Sequence, residues 1–162
     1  MKDTEYGGYY PGLIGKITEV HAVYYNAHWG FDVSFETQVG SELSDFLIEF
    51  DANRDGLWVA KRNGMFAGSV AIDGRHAESE GARLRWFIVV PVFQGLGIGK
   101  NLISRACKFC KHQRYPKVYL WTFEGLDAAR FLYEEKNFRL CEEHEVDQWG
   151  QHIREQKFEL VL

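Results

Sequence analysis

The stretch Val89-Val90-Pro91-Val92-Phe93-Gln94-Gly95-Leu96-Gly97-Ile98-Gly99-Lys100 narrows the folds open to this chain more than any other part of it. The apolar run over 84–90 reads as a strand, and it stops at Pro91, which has no N–H to give to a ladder. From Ile98 to His112 the spacing turns helical, with Ile98, Leu102, Ala106, Phe109 and Cys110 on one face. Glycines between the two let the backbone turn without Cβ clashes. A strand that turns and enters a helix at once aims unpaired N–H groups and the positive helix end at one point. That point suits a phosphate or pyrophosphate, the bland alternative being a loop that serves shape alone. Two familiar phosphate motifs fail. A P-loop needs Ser or Thr where Asn101 follows Lys100, and a dinucleotide fingerprint needs Gly-x-Gly-x-x-Gly early in the chain.

The rest of the pattern is built around this turn. Residues 1–10 hold a candidate edge strand, and Ile14, Ile17, Val20, His21, Tyr24 and Tyr25 recur as one face of a helix. A second helix carries Phe35, Val39, Leu43, Phe46, Leu47 and Phe50, with Ser34 as its N-cap. Strands are predicted over 57–60 and 66–72, joined across the hairpin signal Asn63-Gly64. After Pro116 come a strand over 117–122, a short helix over 126–136, and closing strands over 138–145 and 154–162. A helix links the strands ending at Val90 and starting at Lys117, so these two should run parallel. The sum is one α/β (α+β) domain over 1–162, with a mixed, mostly antiparallel sheet flanked by helices.

Composition excludes several functions. The 162 residues are 46% hydrophobic, enough for a core, yet no apolar run approaches the ~20 residues that span a bilayer. A net charge of -4 lacks the basic footprint of a nucleic-acid binder. It also favours, by steering, a cationic ligand. Cys107, Cys110 and Cys141 cannot all pair, and the first residues do not read as a signal peptide, so a reducing cytoplasm is expected. The histidines show no metal-ligand spacing, and no metal is expected.

The hexamer Gln94-Gly95-Leu96-Gly97-Ile98-Gly99 matches Gln/Arg-x-x-Gly-x-Gly/Ala and resembles the acyl-CoA-binding motif of the GCN5-related N-acetyltransferases (GNAT). Downstream, Ala129, Tyr133 and Phe138 fall in register with that family's Ala-x-x-x-Tyr-x-x-x-Gly-Phe, with Asn137 in place of the glycine. Phe123-Glu124 stands where many relatives carry a polar residue, often Asn. The likeness is best over 57–162; over 14–50 it resembles, more loosely, the acetyltransferase part of MarR–GNAT fusions. It implies a GNAT-like fold whose parallel strand pair splays, and an acetyl-CoA-dependent transfer to an amine of a small molecule or protein.

The resemblance also implies roles. The backbones of Phe87, Ile88 and Val89 would pair with the pantetheine arm, and the amides of Gln94, Gly95, Leu96, Gly97, Ile98 and Gly99 would hold the pyrophosphate. Lys100 or Arg105 would reach the ribose phosphate. Tyr133 is the candidate acid for the departing thiolate, or else an aromatic core anchor. The family's usual Glu before the glycine loop falls on Gly81, which leaves the base unassigned, with Glu80 as the candidate offered and Glu78 and Glu124 nearby. That gap motivates the alternative of a non-catalytic acyl-CoA sensor. His21, Tyr24, Tyr25 and Trp29 are either core residues or walls of the acceptor groove. A homodimer is compatible with the family.

Overall fold

Alternating burial along the strands and three- and four-residue burial along the helices build one seven-stranded sheet with helices on both faces. The computed structural model describes residues 3–162. In chain order these are β1 (Thr4–Gly7), α1 (Leu13–Trp29), α2 (Val33–Ile48), β2 (Gly56–Arg62), β3 (Met65–Asp73), β4 (Ala82–Val89), α3 (Ile98–His112), β5 (Lys117–Phe123), α4 (Asp127–Glu135), β6 (Arg139–Gln148) and β7 (Gln151–Val161). The sheet order is β1-β2-β3-β4-β5-β7-β6, antiparallel at every pair except β4 with β5. Among the described residues no helix is long and apolar enough to cross a membrane.

The core has three parts. Ile98, Leu102, Ile103, Ala106 and Cys110 of α3 pack on one sheet face against Val70, Ile72, Leu84, Val118 and Leu120. On the other face Leu13, Ile17, Leu43 and Phe46 of α1 and α2 cover Leu57, Val59, Ala71 and Ile88. Each fully buried Leu, Ile or Phe of these layers contributes roughly 1.5–3 kcal/mol. A third, aromatic cluster of Phe31, Phe35, Val39, Phe123 and Ile153 ties the start of α2 to β5 and to the β6–β7 hairpin.

Three local expectations need correction. Asp32, not Ser34, caps α2: its Oδ1 accepts from the Ser34 amide at 2.9 Å, so the helix starts at Val33. Phe50 is not on that helix, which ends at Ile48. The closing strands run farther than 138–145 and 154–162, meeting in a two-residue turn at Trp149-Gly150, both at positive φ. Tryptophan is a poor turn former, and tertiary contacts hold it there. Its ring packs on Phe31 and Phe35 at 4.9 and 5.0 Å, and its Nε1 donates to Gln38 Oε1 at 2.8 Å. The Asn63-Gly64 turn, by contrast, has φ of 55° and 75° and joins β2 to β3 as its sequence predicts.

Candidate functional site

The parallel pair opens almost as soon as it forms. β4 and β5 are in register only at Ala82↔Val118 and Arg83↔Tyr119, and beyond these the strands part. On the other side of β4 the ladder to β3 shifts between Ser69 and Ala71, where Trp86 sits at φ 47°. A bulky residue there is strained and must be held by its surroundings. Ser69 Oγ donates to the Trp86 carbonyl at 2.8 Å, and the indole lies against Phe46 at 5.4 Å. This bulge bends β4 away from β5. Phe87, Ile88 and Val89 consequently have β3 on one side and the open gap on the other, as binding by strand addition requires.

The glycine loop lies at the open end. A 3-10 turn at Pro91–Phe93 follows β4, and Gln94 Nε2 donates to the Val89 carbonyl at 3.0 Å, bracing the loop. Gly95 and Gly97 have φ of 82° and 79°, and a Cβ on either would meet nothing within 4 Å. The space over them is free to take a pyrophosphate, and their left-handed backbone is the reason for glycine. α3 starts at Ile98, and Asn101 is the first residue to donate back to the Gly97 carbonyl, at 3.1 Å. The amides of Ile98, Gly99 and Lys100 thus have no acceptor in the helix. Gly99 serves packing instead, since a Cβ would stand 3.0 Å from Leu132 and 3.2 Å from Phe87. Leu96 projects its side chain outward. Lys100 pairs on the surface with Glu135 at 3.2 Å, a contact easily given up. Arg105 is held more firmly, over the Tyr6 ring at 4.1 Å and donating to Asn101 at 2.6 Å.

A cavity of about 360 Å³ opens at the splay, lined by β4 and β5 and by side chains of α1, α2 and α4. Tyr133 lines it from α4 and is itself buried, its ring 5.9 Å from Phe87 and from Phe138 and 6.1 Å from Phe158. It is both the core anchor and the cavity phenol, two readings the sequence had kept apart. Burial pushes its phenol well above the usual range, with a smaller push from Tyr25. It therefore stays protonated and can donate its O–H.

Glu80 is not brought to this place. It is exposed in the turn before β4, at the strand's far end from the glycine loop, and it does not line the cavity. Gly81 shows why the family's carboxylate has no room here. Its φ is 100°, and a Cβ would lie 2.9 Å from the Lys117 side chain. Glu124 is exposed as well, while Phe123 turns inward into the aromatic cluster at 5.3 Å from Trp29. Of the four first-helix candidates, His21 and Tyr25 line the cavity; Trp29 backs Phe123, and Tyr24 packs on His28 at 4.4 Å. Burial drives His21 down to about 4, against the bond to the Ile17 carbonyl at 2.8 Å. At neutral pH it is an uncharged imidazole donating from Nδ1.

Other lining residues were not foreseen: Arg83, Arg85, Gln148 and Glu155. Arg83 and Arg85, two apart on β4, did carry a signal, because paired charges on one face of an inner strand need a reason. Gln148 and Glu155 carried none, since only the long hairpin brings them here. Arg85 is committed to Glu42 at 3.2 Å and Asp73 at 3.8 Å and lies over Trp86 at 4.2 Å. Glu155 has the His144 ring at 3.5 Å as its neighbour.

Comparison with known proteins agrees with this geometry. The model of the acetyltransferase (GNAT) family matches residues 20–138. An uncharacterized N-acetyltransferase of Methanocaldococcus jannaschii is 30% identical over 128 residues, 76% of this chain; the chain spans 55% of that relative's length. Among solved structures, a ribosomal-protein-alanine N-acetyltransferase from Brucella melitensis superposes with a TM-score of 0.76 at 12% identity, covering 98% of this chain and 99% of that one. The yncA protein of Salmonella typhimurium, solved with its cofactor acetyl-CoA, gives 0.72 at 14% identity over 98% and 93%. At these identities the two structures bear on the fold.

Proposed function

Because this chain belongs to the acetyltransferase (GNAT) family, we propose that it is an N-acetyltransferase that passes the acetyl group of acetyl-CoA to a primary amine. The observation that carries this reading is the β4–β5 splay, which opens beyond Arg83↔Tyr119 and holds Tyr133 beside Phe87 in one cavity. Acetyl-CoA, when bound, supplies an acetyl thioester. The gap-facing backbone of Phe87, Ile88 and Val89 would take its pantetheine arm as an added strand. The amides from Gln94 to Gly99, with those of the α3 N-terminus, would take its pyrophosphate. Lys100, whose ion pair with Glu135 is exposed, would reach the ribose phosphate.

Transfer makes one N–C bond and breaks one C–S bond, so the nitrogen must lose a proton and the sulfur must gain one. Tyr133 Oη, held protonated by burial, would donate a hydrogen bond that stabilises the departing thiolate, of pKa near ~8.5, and the proton the nitrogen loses balances the one the sulfur gains as coenzyme A leaves. For the nitrogen, Glu155 replaces Glu80 as the proton acceptor: it lines the cavity and is not tied to an arginine. Glu42, the other lining carboxylate, is paired with Arg85. Calorimetric titration of the purified protein with acetyl-CoA, followed by a thiol-release assay over an amine panel, tests this reading. Micromolar binding and amine-dependent thiol release are expected; a folded protein that binds no acetyl-CoA removes it.

A further inference from the structure

Among the described residues, two buried side-chain polar atoms lack a hydrogen-bond partner: Arg83 Nε and Gln148 Oε1. Both belong to side chains that line the same cavity, the one that holds Tyr133. A buried guanidinium donor or amide acceptor left bare is costly, so each such group needs an explanation. Here the two are complementary in kind. One is a cationic, forked donor and the other an acceptor, and they come from distant parts of the sheet, β4 and the end of β6.

Resting on the acetyltransferase reading, we propose that the acceptor is a small amino carboxylate, with its carboxylate held by Arg83 and its amine N–H accepted by Gln148 Oε1. Arginine offers paired N–H groups in the geometry of a carboxylate, whereas a lysine would supply the charge without the fork. Arg85 does not compete for the same role, because Glu42 and Asp73 already neutralise it. The cavity of about 360 Å³ is of a size for an amino acid, and Tyr25, Phe35, Trp86 and Trp149 give it aromatic walls for an apolar body. The net charge of -4 would favour a cationic acceptor, while the cavity offers Arg83 to an anionic group beside the carboxylate of Glu155. A zwitterion meets both conditions.

The test compares matched acceptors on the intact protein: the twenty L-amino acids against their carboxamides, with acetyl-CoA and a thiol-release readout. At least one amino acid should be preferred tenfold or more in kcat/KM over its carboxamide. In Arg83→Gln that preference should fall by about 10- to 100-fold, mostly through KM, as expected for a lost hydrogen bond to a charged group. Arg83→Lys should restore part of it. Titration of Arg83→Gln with acetyl-CoA should give the wild-type affinity, which separates a lost contact from a lost fold. Equal use of carboxylate and carboxamide, a preference that survives Arg83→Gln, or acetyl-CoA binding with turnover only of protein amino termini or polyamines would each overturn the assignment. Absence of acetyl-CoA binding brings down the transferase reading and this acceptor with it.

Discussion

Arg83 and Tyr119 are the last backbone pair of β4 and β5, and the guanidinium of Arg83 stands where the sheet begins to open. A charged side chain at the root of a splay is held by main chain on both sides, whereas residues farther along β4 have a strand on one side only. On the proposed function, binding of the acceptor and of the acyl donor would be divided along one strand, with Arg83 toward the acceptor and the free edge from Phe87 to Val89 toward the donor.

Acetyl-CoA binding should be lost in Gly97→Glu. The position has φ 79°, and a left-handed conformation costs a residue with a Cβ roughly 1–2 kcal/mol. The space above it is open, so the carboxylate would occupy the pyrophosphate cradle instead of clashing with protein. Calorimetry should show at least a hundredfold weaker binding, while the melting temperature falls by a few degrees only. Wild-type affinity in this variant would mean that the loop is a turn and nothing more.

Tyr133→Phe should separate binding from chemistry. The ring keeps its contacts with Phe87, Phe138 and Phe158, so acetyl-CoA affinity should hold and stability should change by about 1 kcal/mol at most. Loss of the proton donor should cost kcat on the order of 10²–10⁴. Because burial raises the phenol above its usual ~10, the wild-type rate should show no alkaline limb from this group below that pH. Stopped assays with a chosen amine across pH 7–10 measure both. A variant of unchanged kcat would leave Tyr133 as a core aromatic alone.

Much of this site could be read from the chain before folding was considered, and the exceptions share one cause. The glycine loop, the strand before it and Tyr133 are set by local pattern, and their places follow from short-range geometry. Asn137, at φ 71°, occupies the left-handed helix end that the family fills with glycine, which a short polar side chain tolerates. The bulge at Trp86 left no mark, because its strain is sustained by Ser69 and Phe46 from other elements. The same holds for Trp149, kept in a tight turn by Phe31, Phe35 and Gln38. Glu80 is kept out of the cavity for a related reason: closeness in sequence to β4 puts it at the strand's far end from the glycine loop. Glu155 of β7 lies 75 residues after Glu80, opposite Phe123 of β5, and only the sheet order brings it to the cavity.

Glu155→Gln should lower kcat/KM at neutral pH by a factor on the order of 10², the range of a lost general base. Near neutrality the acceptor is mostly an ammonium and needs help to lose its proton. As pH rises toward the amine's own pKa, free amine becomes plentiful and the wild-type to variant ratio should shrink. Rate profiles of both proteins over pH 6–10 with one amine provide the check. A ratio that stays flat would assign Glu155 to binding instead of proton transfer.

Stability should fall with pH between about 6.5 and 4 because of His21. Its folded pKa is driven down to about 4 by burial, from an unfolded value of 6.5. Within that window the unfolded chain binds a proton that the native state does not, so unfolding is favoured as pH drops. Above the window both states are neutral at this residue and it adds no slope. The shift converts to roughly 3 kcal/mol over the whole window, at ~1.36 kcal/mol per unit. His21→Gln keeps a side-chain donor for the Ile17 carbonyl, now held at 2.8 Å, and does not titrate. Denaturant unfolding of both proteins at pH 7.0, 6.0, 5.0 and 4.5 should therefore give converging stabilities as pH falls, with the wild type losing more. Parallel pH curves for the two proteins would show that His21 is solvated in solution and that its ring carries a proton there near its ordinary pKa.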